Sequence, residues 1–273
     1  MNKRFRRTLA WIGVACLSFS APALSDDYSE AVTAWQSGDF KIALEKFLPL
    51  ANSGGIVAQT MVGHMYEYGQ GIAEDKTEAV KWYRLAAEQG DANAHLLMGV
   101  MYYEGQGLME NDVEVVKWLR LSAEQGNAIA QGNLGVIYDQ GQGVPENDAE
   151  AFKWYRLAAE QGDARAQANL GRKYARGEGV PENRLEAVKW LRLSAEQGDK
   201  LGQFRLGFMY ANGEGVPSNY VKAYSWWSLA AAQGHEDAQG YKGSIAEEMS
   251  REQIAEAKQL SARCYEAKYK GCD

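Results

Sequence analysis

A motif that recurs every 36 residues constrains this chain more than any other feature of its sequence. A Gly-x-Gly pair divides each unit, a Gln-Gly pair closes it, and a tryptophan recurs at the same position between them. A fixed period of this length is typical of solenoids, in which each unit is too small to bury its own apolar face and must stack on its neighbours. The recurring tryptophans are therefore predicted to be structural core residues: Trp82, Trp118, Trp154, Trp190 and Trp226.

Each unit is predicted to contain two helices. In the unit 128–163, Ala130, Leu134 and Tyr138 lie four residues apart and share one face of a first helix, which Gly141 is predicted to end. A second helix follows the loop and carries the tryptophan.

The start of that second helix matches a capping box, with Asn147 as the N-cap and Glu150 three residues later. An equivalent pair occurs in the other units except the last: Asp75 with Glu78, Asn111 with Glu114 and Asn183 with Glu186, whereas Lys222 follows Asn219.

Six glycines lie inside predicted helices, where each costs about 1 kcal/mol relative to alanine. Their recurrence predicts that a neighbouring element approaches too closely for a Cβ atom. These are Gly63, Gly99, Gly135, Gly171, Gly207 and Gly243.

The pattern Ala-x-x-x-Leu-Gly-x-x-Tyr-x-x-Gly-x-Gly-Val-Pro, followed by Ala-x-x-Trp-Tyr-x-x-Ala-Ala-x-Gln-Gly, closely resembles the Sel-1-like repeat, a relative of the tetratricopeptide repeat. The resemblance covers five units, at 56–91, 92–127, 128–163, 164–199 and 200–235. It implies an all-α fold, a right-handed α/α superhelical solenoid. It also implies an adaptor role, in bacteria often in the cell envelope. Residues 26–55 resemble a divergent tetratricopeptide-like cap, and residues 236–273 are predicted to form capping helices.

Residues 1–25 have the layout of a secretory signal peptide, with a basic start, a short apolar run and small residues before Asp26. A retained membrane anchor, lipidation at Cys16 and twin-arginine export at Arg6-Arg7 are alternatives. Removal of this segment leaves 25 basic and 36 acidic side chains, a formal charge of −11. So acidic a chain is a poor match to nucleic acid, and no membrane span is expected after signal removal. The predicted location is the periplasm or the exterior.

Cys264 and Cys272 are the two cysteines that remain in the exported chain, and an even pair in an oxidising compartment predicts a disulfide. A continuous helix would hold them about 12 Å apart, beyond bridging reach. The last helix is therefore predicted to end soon after Cys264, with Gly271 in the return. Two free thiols are the alternative.

The first helices vary along one face, which in tetratricopeptide-like solenoids lines the concave surface. An apolar stretch and a basic stretch on this face suggest a protein or peptide partner with apolar and then acidic residues. The alternative is a solvated charged face with packing between repeats. The predicted partner-binding residues are Leu97, Val100, Tyr103, Val136, Arg165, Arg172, Arg176, Phe204, Arg205 and Phe208.

The common sequence signatures of catalysis are absent: the chain contains no Ser-x-x-Lys, Gly-x-Ser-x-Gly or His-Glu-x-x-His. His95 stands where other units carry glutamine and is interpreted as a structural substitute. The predicted protein is a non-catalytic binding scaffold of the envelope, regulatory or involved in assembly, with no metal or cofactor. An enzyme acting on cell wall or β-lactams, or a secreted host-interaction factor, is the alternative. The oligomeric state is left open.

Overall fold

The computed structural model describes residues 26–272, and the predicted signal peptide lies outside them. The described residues form helices and turns without a strand, as the all-α prediction requires. None of these helices combines the length and the apolar character needed to cross a bilayer. The helices are α1 (Asp26–Gln36), α2 (Phe40–Asn52), α3 (Ile56–Tyr68), α4 (Lys76–Glu88), α5 (Ala92–Glu104), α6 (Asp112–Glu124), α7 (Ala128–Gln140), α8 (Asp148–Glu160), α9 (Ala164–Arg176), α10 (Arg184–Glu196), α11 (Lys200–Asn212), α12 (Tyr220–Ala232), α13 (Ala238–Ala246) and α14 (Arg251–Glu266).

The two glycines of each Gly-x-Gly pair have different structural roles, as the α9–α10 loop shows. Gly177 has φ +69° and ends α9 in the left-handed conformation, with its N–H donating to the carbonyl of Lys173. Gly179 lies directly against the backbone of Asp148 at the start of α8, where a Cβ would overlap the carbonyl group. The sequence interpretation as helix termination therefore accounts for the first glycine, and close packing on the preceding repeat accounts for the second.

Only one of the two hydrogen bonds of the predicted capping box at Asn147 and Glu150 is present. The side chain of Asn147 accepts the backbone N–H of Glu150 at 3.1 Å, as expected. The N–H of Asn147, however, donates to the carbonyl of Tyr138 at 2.9 Å. The Glu150 carboxylate instead accepts the indole N–H of Trp154 at 3.1 Å.

The last repeat shows that the glutamate is dispensable for the cap. Asn219 accepts a hydrogen bond from the backbone N–H of Lys222 at 3.0 Å, so the N-cap is present although the capping box lacks its glutamate. It forms because the third helical residue supplies only its backbone N–H, which every residue except proline carries.

The described chain forms two compact units. Unit 1 comprises the residues up to Asn133 together with Gln142–Pro145, and unit 2 comprises Leu134–Gly141 and the residues from Glu146 onward. Unit 1 has one buried cluster around Phe47 and another around Tyr83. In unit 2 the cluster around Trp226 extends to Cys264 near the C-terminus.

Five of the six helix-internal glycines do face a neighbouring side chain. A Cβ at Gly135 would overlap the ring of Tyr155, and one at Gly63 would lie 2.7 Å from the ring of Tyr83. At the sixth, Gly243, no atom lies within 4 Å of the position that a Cβ would take, so the prediction of close packing there is wrong. Gly243 lies in the short helix α13, and the helix that follows it, α14, contains no tryptophan.

The recurring tryptophans are less deeply buried than their regularity suggests. Trp154 and Trp226 are buried, whereas Trp82, Trp118 and Trp190 are only half-buried. The residue after each tryptophan is buried in every repeat, because it faces the helix-internal glycine of the same repeat. These residues are Tyr83, Leu119, Tyr155, Leu191 and Trp227.

The hydrogen-bond contacts of His95 confirm that it substitutes for the glutamine of the other repeats. Its Nε2 lies 2.9 Å from the carbonyl of Ala87, and its Nδ1 lies 3.0 Å from the amide of Gln125. Gln59 makes the equivalent bonds to the carbonyl of Ala51 and the side chain of Gln89. Because a carbonyl only accepts, Nε2 is the protonated nitrogen of His95.

At the C-terminus, α14 packs on α12, where the Ser225 hydroxyl donates to the carbonyl of Ala257 at 2.9 Å. The helix ends two residues after Cys264, and a disulfide joins Cys264 to Cys272 with their Cα atoms 5.3 Å apart. The early end of the helix is as predicted. Gly271 has φ +65° in the return, where Tyr269 also packs against Gly198.

Candidate functional site

The predicted basic stretch lies within unit 2, on helices α9 and α11, which pack against each other. Arg165 and Arg176 are exposed, the latter with 66% of its side chain accessible. Arg172 and Arg205 are half-buried. We refer to these four arginines, together with Phe208, as the α9–α11 face.

Arginines of this face are also engaged within the chain, and the guanidinium of Arg176 lies 3.5 Å from the carboxylate of Glu178. Arg172 pairs with Asp139 at 2.5 Å and with Glu178. Arg205 donates to the carbonyl of Ala168 at 2.7 Å and to the side chain of Asn169 at 3.1 Å, and burial lowers its pKa to about 10. Both remain cationic at neutral pH, but Arg165 and Arg176 present the more accessible charges.

Next to Arg172 lies a lysine that the sequence did not single out. The side chain of Lys173 is fully buried, and its ammonium pairs with Asp139, Asp148 and Glu178. One carboxylate oxygen from each of these three acidic residues lies within 4.8 Å of the other two, a spacing that could also suit a metal ion. Because the Lys173 ammonium pairs with all three, the arrangement is an ion-pair network.

The pKa shifts of this network follow from its contacts. Burial opposes ionisation of Asp139, but hydrogen bonds from Lys173 and Arg172 outweigh burial and lower the pKa of the carboxyl group. Burial likewise opposes the charge on Lys173, and Asp139 and Asp148 outweigh it and raise the pKa of the ammonium. Each ion is therefore stabilised by its partners.

An aromatic cluster adjoins the α9–α11 face at α11 and α13. Phe204 stacks on His235 at 4.1 Å, and Tyr241 lies 5.0 Å from Phe208. Trp227 lies beneath and donates its indole N–H to the carbonyl of Phe204 at 2.9 Å. Phe208 is 36% exposed and Tyr241 is 42% exposed. The cluster offers aromatic surface beside the exposed arginines.

The predicted apolar stretch is more deeply buried than a binding surface requires. In unit 1, Leu97 and Val100 are half-buried and Tyr103 is buried. In unit 2, Val136 is half-buried. Leu97 packs against the buried cluster around Tyr83 in unit 1.

Unit 1 contains a buried carboxyl group that was also absent from the sequence predictions. Glu67 is 9% exposed and accepts the phenol hydroxyl of Tyr83 at 2.6 Å. Burial raises the pKa of Glu67; the hydroxyls of Tyr83 and Tyr68 lower it in part, and the charge of Glu104 raises it further.

Aligning the five repeats position by position reveals both Lys173 and Glu67 in the sequence. Lys173 is the only charged residue at a position held elsewhere by Met65, Met101, Ile137 and Met209. The position of Glu67 carries Asp139 in the third repeat, and each acidic residue faces a tyrosine, Tyr83 or Tyr155. The other three repeats have Tyr103, Ala175 and Ala211 opposite Leu119, Leu191 and Trp227.

Comparisons with known proteins agree with the repeat architecture. The family model for the Sel1 repeat matches residues 56–91, 92–127, 128–163, 164–199 and 200–235. No curated protein sequence matches the chain.

The solved structures that are similar to the chain include the following two. A Sel1 repeat protein from Oxalobacter formigenes is 31% identical with a TM-score of 0.76, over 86% of this chain and 97% of that protein. The protein c5321, a protective antigen present in uropathogenic Escherichia coli strains displaying an SLR fold, is 28% identical with a TM-score of 0.59. That match covers 89% of this chain but 61% of the antigen, so this chain spans less than two thirds of its length. With five matched repeats and an all-helical fold, the chain belongs to the Sel1 repeat family, whose members are generally protein-interaction scaffolds and typically non-catalytic.

Proposed function

We propose that this protein is a non-catalytic scaffold of the bacterial cell envelope that binds a protein or peptide partner through the α9–α11 face. The observation that supports this most directly is the exposure of Arg165 and Arg176 on one face of a chain with a strongly negative charge. Exposed arginines on an acidic protein attract carboxylates, with which the guanidinium forms paired hydrogen bonds.

The neighbouring aromatic cluster indicates what else the partner carries. Phe208 and Tyr241 offer partly exposed rings, and aromatic side chains are favoured anchors at binding surfaces. The partner segment is therefore an apolar or aromatic residue followed by acidic residues. The role of such a scaffold is regulation or assembly of other envelope proteins.

Binding of a fluorescent peptide that carries phenylalanine followed by four glutamates tests the proposal. The double variant Arg165→Glu and Arg176→Glu should weaken binding by about tenfold or more, because attraction at two points becomes repulsion. The matched control is Lys153→Glu with Lys189→Glu, the same change of charge at exposed positions of α8 and α10 in the same unit.

Equal loss of binding in both double variants would contradict a specific face and indicate a general charge effect. Circular dichroism should show unchanged helicity in all variants, because the four side chains are mainly exposed. Turnover of nitrocefin or peptidoglycan by the purified protein would contradict the non-catalytic assignment.

The envelope location rests on the signal-like residues 1–25. Fusion of this segment to alkaline phosphatase, which is active only after export, should give an active reporter. An inactive reporter retained in the cytoplasm would contradict the location and leave the peptide-binding proposal standing.

A further inference from the structure

One side of α12 is covered by another helix of the chain, whereas the same side of α10 is exposed. The last helix, α14, packs on α12, where Ser225 and Leu229 are buried and the Ser225 hydroxyl donates to the carbonyl of Ala257. One repeat earlier, Leu193 on α10 holds the position of Leu229, and Leu193 is 46% exposed. Both helices belong to unit 2, and the difference between them is the presence of α14.

Three apolar residues of α10 share this exposed side, and we refer to them as the α10 apolar face: Leu185, Trp190 and Leu193. Leu185 is 66% exposed and Trp190 is half-buried. Their equivalents on α12 are Val221, which is half-buried, and Trp226, which is buried. Single exposed leucines are common on protein surfaces. Here, however, two of them flank a tryptophan on one side of a helix, and they match positions that are covered on α12.

The helix α14 shows what kind of element fits such a face. Its buried and half-buried apolar residues are spaced by three or four positions and form one stripe: Ile254, Ala257, Leu260 and Cys264. Beyond α14, Tyr269 packs against Gly198, two residues after the end of α10. The C-terminal segment therefore already reaches α10, and a helix bound to the α10 apolar face would extend the α12–α14 interface.

One substitution distinguishes the two faces and limits how closely a helix approaches α10. Where α12 has Ser225, α10 has Lys189, whose ammonium pairs with Glu186 on the same helix. The longer side chain keeps a bound helix farther from the backbone of α10 than α14 lies from that of α12. A helix on α10 therefore makes its contacts with the leucines on either side of Lys189.

We propose that the α10 apolar face binds an amphipathic helix of a partner protein, with an apolar stripe like that of α14. Binding of this kind places the apolar side of a helix on an apolar surface and is read out at residues three and four positions apart. The packing of α14 on α12 is a filled example within the chain. The α10 apolar face shares no residue with the α9–α11 face, so the inference goes beyond the proposed function.

Fluorescence anisotropy with a labelled peptide of residues 250–266 carrying Cys264→Ser tests this surface on the full chain. The double variant Leu185→Glu with Leu193→Glu should weaken peptide binding by about tenfold or more, because charges replace the apolar contacts. The matched control is Ile42→Glu with Met109→Glu, the same change at exposed apolar residues of unit 1. Absence of binding to the wild-type protein, or equal loss in both double variants, would overturn the proposal.

A photo-cross-linking peptide with benzoylphenylalanine in place of Leu260 locates the bound helix. Mass spectrometry should find cross-links to α10. Cross-links confined to α12 would overturn the proposal, because the peptide would then merely replace α14.

The variant Lys189→Ser gives α10 the residue that α12 carries under α14, and it should tighten peptide binding by about threefold. Weaker binding in this variant would overturn the proposal. So would self-association of the wild-type protein in sedimentation that Leu193→Glu abolishes, because a second copy would then occupy the face. The arginine variants of the α9–α11 face should bind the helical peptide normally, which separates failure of this surface from failure of the proposed function.

Discussion

Glu67 in unit 1 and Asp139 in unit 2 occupy the same repeat position, but their surroundings shift the pKa of the carboxyl group in opposite directions. Both accept a hydrogen bond from a buried tyrosine, Tyr83 or Tyr155. Asp139 also has Lys173 and Arg172 as ion-pair partners, and the pKa of its carboxyl is lowered. Glu67 has neither of these partners, and burial raises its pKa. The same repeat position can therefore hold either a half-buried carboxylate paired with two cations or a buried carboxyl group that holds its proton more tightly.

The difference shows what the repeat positions must supply together. A carboxyl group at this position requires a tyrosine on the second helix, because a buried acceptor without a donor is costly. Its ionisation at low pH further requires a cation from the following repeat. Where the position holds Tyr103 or Ala175, the second helix has leucine instead of tyrosine.

The largest expected effect comes from removing the carboxylate that is paired. Asp139→Asn removes one partner from the buried ammonium of Lys173 and from the half-buried Arg172, and it should destabilise the protein by about 3 kcal/mol at pH 7. Glu67→Gln should change stability by less than about 1 kcal/mol, because the neutral amide replaces a carboxyl that is costly to ionise. Urea unfolding of both variants measures this difference.

The pH dependence of these two variants should have opposite signs. Because the folded-state pKa of Asp139 is lowered, its contribution is present above the unfolded pKa and is lost as the pH falls through the folded pKa. The deficit of Asp139→Asn should therefore shrink in acid. Because the folded-state pKa of Glu67 is raised, ionisation of Glu67 costs stability as the pH rises above the unfolded value, so Glu67→Gln should gain on wild type toward neutral pH. Parallel pH profiles would contradict the comparison.

A smaller effect is expected at the glycines that face the two tyrosines. Gly63→Ala and Gly135→Ala should each destabilise by about 2 kcal/mol, because the new methyl group overlaps the ring of Tyr83 or Tyr155. Gly243→Ala is the control, since it enters open space in a helix and should stabilise by about 0.5–1 kcal/mol. Thermal melts decide the sign, and a stabilised Gly135→Ala would disprove the close contact.

The smallest effect is expected at the phenol hydroxyls. Tyr83→Phe removes a hydroxyl donor from a carboxyl that has no cationic partner, and it should cost about 1–2 kcal/mol. Tyr155→Phe should cost about 0.5 kcal/mol, because Asp139 keeps Lys173 and Arg172. A larger loss for Tyr155→Phe in chemical unfolding would mean that the cations contribute less than the structure indicates.

Much of the architecture could be predicted from the sequence because its causes are local. The 36-residue period predicted the helix pairs correctly. Gly141 directly follows the end of α7, and Asn147 directly precedes the start of α8, where its side chain accepts a hydrogen bond from the N–H of Glu150. The early end of α14 before the disulfide followed from the reach of two cysteines. The family followed from the repeated motif, which five matched units confirm.

The candidate site was less predictable, because a column of similar residues does not show where each side chain is engaged. Arg165 and Arg172 share a helix face, yet Arg165 is exposed, whereas Arg172 is half-buried against Asp139 and Glu178. Lys173 occupies a repeat position that is buried and apolar in the other repeats, so the shared pattern predicts an apolar residue there and not a buried charge. The second glycine of each Gly-x-Gly pair similarly makes its contact with a different repeat.

The sequence by itself determined that this chain forms tandem helix pairs, where the helices end and which faces are apolar, because capping, left-handed glycines and periodicity act over a few residues. The tertiary structure alone decided which charges are buried, which are paired and which stay exposed. The reason is that a carboxyl such as Asp139 meets its cations only when the following repeat folds against it, and Glu67 meets none there.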